Sequence, residues 1–160
     1  MALTGYMKIE DIPGESKRAD HVDEIDLSGL SWGASQTNTV VLGSGRSAGK
    51  ASISSIAISK YYDAASPYLA LACMQGKAFA EIIITARKDS GDVHLDYLTI
   101  TIGGCMLDSY QVGASMDGEA MPTESISIAF DTIKIKYIQQ ADDHSAGDEH
   151  EIEYDVIAGV

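Results

Sequence analysis

The chain has 160 residues, 45% of them hydrophobic, and a formal net charge of −13 at pH 7. That length suits one domain, residues 1–160, with a core of its own. The charge excludes nucleic-acid partners, because no basic stripe exists to release phosphate counterions, and no apolar run approaches a membrane span.

Taken in order, MALTGYMKIEDI has no charged-then-apolar signal segment, and Tyr6 to Ile12 reads as a first strand that Pro13-Gly14 ends. Glu15 to Asp20 is a charged loop. Glu24 to Ala34 is a second strand with a shift of phase. Ile25 and Leu27 share one face, and Leu30 and Trp32 share the other, because side chains alternate along a strand. A bulge or bend at Ser28-Gly29 accounts for the shift, and a strand that changes face halfway suits a passage between two sheets. With Leu30 and Trp32 in the core, Ser31 and Gly33 face away.

Residues 35–50, SQTNTVVLGSGRSAGK, read as an extended, exposed loop. GSGRSAGK misses the spacing of a phosphate-binding loop, and a strand pattern, Ile53 to Lys60, follows it instead of a helix. The apolar Val40, Val41 and Leu42 on a glycine-rich arm point to contact with another subunit.

SPYLALACMQG, residues 66–76, is the one helix the sequence supports. Ser66 is placed to cap it, Pro67 suits the first helical position, and Gly76 suits a left-handed stop. Leu69, Ala72 and Cys73 make its buried stripe. Lys77 to Lys88 reads as a strand, and Asp89 to Asp92 as a turn. Leu95 to Ile102 pairs back, and Gly103-Gly104 reads as a two-residue hairpin turn before a strand from Cys105 to Gly113. Glu124 to Gln139 is the longest strand pattern, with a change of phase near Asp131-Thr132. ADDHSAGDEHE, residues 141–151, reads as a solvated acidic loop, and Ile152 to Val160 as a final strand. Many strands joined by turns, with one helix, indicate an all-β barrel or sandwich.

Catalytic and metal chemistry is sparse. His144 and His150 flank Asp148 and Glu149 at no recognised metal-ligand spacing. His21 and His94 sit at charged turns and read as exposed, and neither has a local nucleophile. Cys73 and Cys105 read as buried small hydrophobes in a reducing compartment, not as a disulfide. Lys134 and Lys136 alternate with isoleucines as a solvated strand face, or as a polar lining or an intersubunit ion pair. No catalytic residue, metal site or cofactor is assigned. Beside a structural subunit stand two other classes, a ligand-binding β-barrel and an enzyme on a β scaffold.

Lys8-Ile9, Gly14-Glu15-Ser16, His21 with Glu24-Ile25-Asp26, and Ser31-Trp32-Gly33 form an ordered set. It continues through Gly49-Lys50, Lys60 with Asp63, Ser66-Pro67 with Leu69, Gly76-Lys77, Tyr97 with Ile100, Ser109, and the strand from Ile126 to Tyr137. This set resembles the haemolysin-coregulated protein (Hcp) family of bacterial type VI secretion. The region from Ala141 onward is the least similar. The resemblance implies a two-sheet β-barrel with one flanking helix. It implies homohexameric rings with a wide channel, stacked into a tube that a contractile sheath expels behind a spike protein. Effector proteins carried in the ring, and export from the bacterial cytoplasm without a cleaved signal, are implied as well. In that frame Ser31 and Gly33 are candidates for the lumen. Val40, Val41, Leu42, Gly43, Arg46 and Lys50 are candidates for ring stacking.

Overall fold

The computed structural model describes residues 2–41, 45–118 and 120–160. Its elements, in chain order, are β1 (Ala2–Ile9), β2 (Ile25–Leu27), β3 (Gly29–Ser31), β4 (Ala34–Val41), β5 (Gly45–Ile53), β6 (Ile56–Tyr61), α1 (Ser66–Gln75), β7 (Ala78–Ser90), β8 (Val93–Gly113), β9 (Thr123–Ala129), β10 (Thr132–Gln140) and β11 (Ala146–Asp155).

The main sheet runs β2-β1-β7-β8-β9-β6-β3, with β10 on β8 and β11 outside β10. Its two ends are the two halves of one bent strand, since only Ser28 separates β2 from β3. The Ser28 N–H donates to Ser59 O at 2.8 Å, which carries the chain from one sheet to the other. The expected change of face at Ser28-Gly29 is therefore where the barrel closes on itself. Leu30 and Trp32 correct the expectation: they are 39% and 37% exposed, not core. Leu30 points with Ile58 across the pair, but β3 is three residues long and at the sheet margin, so little covers it.

The Gly103-Gly104 hairpin is a second correction. β8 runs unbroken through both glycines. Before them its partner beside β7 is β10, and after them it is β9. The glycines are there for close approach. Gly104 has φ +60°, and a Cβ on it would lie 2.3 Å from Asp131 Oδ2. Asp131 N–H donates to Gly103 O at 2.9 Å. The expected switch near Asp131-Thr132 is the break between β9 and β10, so two bends nest at one corner. β8, at 21 residues, is longer than the 124–139 segment, which that break divides.

The core lies between the sheets. Ile25, Ile56, Ile82, Ile102, Ile126 and Ile128 are all 0% exposed, with Met7 and Leu69 beside them. At about 1.5–3 kcal/mol for each buried aliphatic side chain, this cluster dominates the favourable side of folding. Helix α1 closes one opening with Leu69 and Ala72, as the stripe predicts, while Cys73 is half-buried. Gly76 ends it at φ 62°, and Lys77 N–H donates to Ala72 O at 3.0 Å. The N-cap position belongs to Ala65 with no side-chain bond, so Ser66 is not the cap. Its hydroxyl is engaged elsewhere.

Two stretches read as loops are strands. Residues 35–41 and 45–50 lie in the β4–β5 ribbon, a two-stranded sheet of its own. Threonine, valine and serine fit a pleated strand, and each strand covers the other's edge. The acidic run from Ala146 continues as β11 on β10, and the chain turns at residues 156–159 instead of extending to Val160. Its charge suits an outer strand, where it discourages pairing with foreign chains.

Candidate assembly surfaces

The inner and outer faces of the β3-β6-β9-β8 sheet differ sharply. Inward go Ile58, Ile126, Ile56, Ile128 and Leu107, all buried. Outward, the register aligns Ser31, Ala57, Ser127 and Ser109 in one row across the four strands. The next row is Gly29, Ser59, Ser125 and Gln111. Both rows are exposed or half-buried, small and uncharged. Ser31 therefore belongs to a patterned surface. Sequence reasoning named Ser31 and missed Ser59, Ser109, Ser125 and Ser127. The available signal was the alternation of isoleucine with serine or alanine in IAIS and SISI.

Gly33 is exposed and anchors the ribbon. Its N–H donates to Ser54 Oγ at 3.0 Å, and its carbonyl accepts from Ser54 N–H at 3.0 Å. In the ribbon Val40 pairs with Arg46 and Val41 with Gly45. Lys50 is exposed. Leu42 and Gly43 lie outside the described residues. Gly49 allows close strand approach, since a Cβ there would sit 2.8 Å from Thr37 O.

At the far end of β6, Lys60 is 1% exposed. Its ammonium, with three N–H groups to share, sits among four acceptors: Glu124 Oε1 at 2.6 Å, and Asp63 Oδ1, Ser66 Oγ and Tyr61 O at 2.9 Å each. Ser66 Oγ also accepts from Asp63 N–H at 2.9 Å and donates to the Glu124 carboxylate. This network ties β6, β9 and the start of α1 together. It fixes a corner where Tyr61 and Tyr62 stand exposed, and Tyr62 N–H donates to Pro122 O at 3.0 Å. Burial first, then Glu124, pushes the Tyr110 phenol up.

His21 is another correction, buried where exposure was expected. Its ring stacks on Tyr6 with centroids 4.3 Å apart. One nitrogen meets the Glu24 carboxylate, and the other lies 3.0 Å from Asp96 Oδ2. Arg87 Nε donates to Asp96 Oδ1 at 2.9 Å, and Nη1 donates to Ala19 O at 3.2 Å. Burial opposes the charge on Arg87, and Asp96 outweighs it and raises its pKa. Loop 13–24 is thus clamped to the β7–β8 hairpin. His94 is half-exposed beside Asp89, as expected.

Lys134 and Lys136 make exposed pairs with Glu151 and Glu149, each at 3.4 Å. Cys105 is buried, and burial pushes its thiol up to about 11, so it is protonated and inert at neutral pH. The barrel interior is filled by the isoleucine cluster, which argues against an internal ligand pocket. An open groove of about 690 Å³ lies beside Tyr61 and Tyr62.

A family model described as type VI secretion system effector, Hcp, matches residues 6–137. The chain is similar to Protein hcp1 of Pseudomonas aeruginosa, at 35% identity over 143 residues, covering 89% of this chain and 88% of that protein. Among solved structures, a type six secretion system protein superposes with a TM-score of 0.93 at 27% identity, over 99% of both chains. Hcp1 from Salmonella typhimurium superposes with a TM-score of 0.79 at 28% identity, over 100% of this chain and 99% of that one.

Proposed function

The chain belongs to the Hcp family and is a structural subunit of the type VI secretion tube; we propose that it works as a homohexameric ring whose lumen is the serine-rich face of the β3-β6-β9-β8 sheet. The observation that carries this reading is the pair of aligned rows through Ser31 and Ser59. A channel for passing cargo needs a surface with neither strong charge nor apolar anchors, and these rows supply one. Gly33 sits at the rim of the same face. The sheet's margins support ring closure. β3 on one side and residues 109–113 of β8 on the other have no further strand partner among the described pairings. A closed ring needs such unlike surfaces to meet head to tail.

The β4–β5 ribbon reaches from one ring toward the next, with Val40 and Val41 at the end of β4 and Arg46 and Lys50 along β5; Leu42 and Gly43, next in the sequence, belong to the same stacking set. Rings then stack into a tube that a contractile sheath drives outward behind a spike protein, with effector proteins held in the lumen. Export from the bacterial cytoplasm proceeds through the type VI machine. Acidic subunits repel, but salt screens exposed charges over about 8 Å, so stacking relies on apolar contacts and local ion pairs.

Replacing Val40, Val41 and Leu42 with serine tests the arm. The expected result is intact rings, seen by native mass spectrometry, with fewer stacks in negative-stain images. Normal stacking would overturn the ribbon's role. For the lumen, Ser59→Arg with Ser125→Arg should leave rings assembled and block effector retention. Unchanged retention would remove the serine face from the channel.

A further inference from the structure

Charge is spread unevenly over the sheet faces. The chain carries 24 Asp and Glu residues. Yet the outward positions of β3, β6 and β9, and of β8 from Met106 to Gly113, hold one carboxylate among the described residues, that of Asp108. Lys60 and Glu124 belong to the same strands, but they turn inward and are buried.

β8 makes room for Asp108 with a bulge. Leu107 pairs with Ile128 and Ser109 with Ser127, so Asp108 is the extra residue between them. A bulge re-aims the side chain that it inserts. Asp108 is aimed across the sheet: the Ser55 hydroxyl, next to the start of β6, donates to its Oδ2 at 2.6 Å. β9 lies between β8 and β6. Ile128 fills the inner side of β9 at 0% exposure, so the bridge crosses on the outer side, past the small Ser127 and Ala129. The carboxylate is therefore fixed on the serine-rich face, and it stays exposed there. Met106 pairs with Ala129, is 44% exposed, and stands beside it on the same face. A carboxylate next to an exposed apolar side chain suits one kind of visitor. Lysine and arginine lay an aliphatic stem on apolar surface and carry the charge at its end. An anionic or a purely apolar surface matches half of the pair at best.

We propose that Asp108 is the charge selector of the channel, and that the cargo it selects is a polypeptide with lysine or arginine on its wall-facing surface. The inference rests on the reading that the serine-rich face lines the lumen. Six copies then set six carboxylates at one height in each ring, and a ring of carboxylates favours cations in a pore. Salt confines the effect to about 8 Å from the wall, so cargo is sorted where it touches.

The test uses assembled rings and two short fluorescein-labelled peptides of equal length, one alternating lysine with serine and one alternating glutamate with serine. Binding is read by fluorescence anisotropy. An exposed ion pair is worth about twofold in affinity, so three such contacts give the lysine peptide roughly an eightfold preference. Asp108→Asn, which keeps an acceptor for Ser55, should abolish that preference, and Asp108→Lys should reverse it. Glu149→Gln with Glu151→Gln, on the outer strand β11, should leave it unchanged. Rings are also plugged at Ser125→Cys, in a Cys73→Ser background, with a maleimide polyethylene glycol, and the plug should exclude both peptides. A plug that excludes the lysine peptide while Asp108→Asn changes nothing would overturn the selector and keep the lumen reading. A lysine peptide that binds plugged rings as well as open ones would overturn the lumen reading, and the selector with it.

Discussion

Lys60→Met isolates the buried charge network. Lys60 and Glu124 have side chains 0% exposed and 2.6 Å apart, and Ser66 is equally buried. Methionine keeps the bulk and removes the ammonium. The Glu124 carboxylate then keeps neutral hydroxyl neighbours, Ser66 and Tyr110, and no cation, in a fully buried site. Breaking a buried ion pair by removing one partner costs about 3–5 kcal/mol. For a chain of this length, each kcal/mol moves the melting temperature by about 2–4 °C, so the shift should be roughly 6–20 °C. Adding Glu124→Met removes the stranded charge and should recover most of the loss. Asp63 then keeps its bond to Ala65 N–H at 2.9 Å. Thermal melts followed by circular dichroism, at one fixed protein concentration, compare the three chains, because ring assembly is linked to folding. A single variant losing less than about 1 kcal/mol, or a double variant no better than the single, would refute the claim that this network holds the corner.

Three other outcomes follow from the same structure. Gly104→Ala should cost about 1–2 kcal/mol from its left-handed backbone alone, and more from the approach of Asp131; a melt identical to the parent's would show that the corner gives way freely. Asp26→Asn should stabilise the chain near neutral pH. A carboxyl with a raised folded pKa loses stability as pH rises from its ordinary value through the raised one. The gain should therefore fade in melts taken below the usual carboxylate range, and a gain that persisted there would contradict the charge origin. Cys105 should resist iodoacetamide at pH 8 and react only after denaturation, since burial holds its thiol at about 11; modification of the folded chain, mapped by peptide mass spectrometry, would contradict that.

The parts of the fold that show in the sequence are those set by local pattern. Pro67 and Gly76 bracket α1 because backbone geometry demands them there, and period-two isoleucines mark β6, β7 and β9. The bends at Ser28 and Asp131 show as phase changes, because a strand cannot switch faces without one. What the sequence hides depends on distant partners. Gly103-Gly104 has the composition of a turn, and the reason it is a bend lies in Asp131 and Thr132 packed against it. Ser66 has the chemistry of a cap, but Glu124, 58 residues away, takes its hydroxyl. His21 looks like a surface residue until Asp96, 75 residues on, covers it. β11 is too acidic to read as a strand alone and pairs against Lys134 and Lys136. On the assembly side, Ser31 follows from parity, but the serine rows need the register of four strands.

The central claim is that this chain closes into six-membered rings around an open lumen. Native mass spectrometry of the purified protein, with negative-stain images of the same sample, tests it most directly. The account predicts six times the chain mass and annular particles with an open centre. A strictly monomeric species at every concentration, with no annular particles, would contradict it.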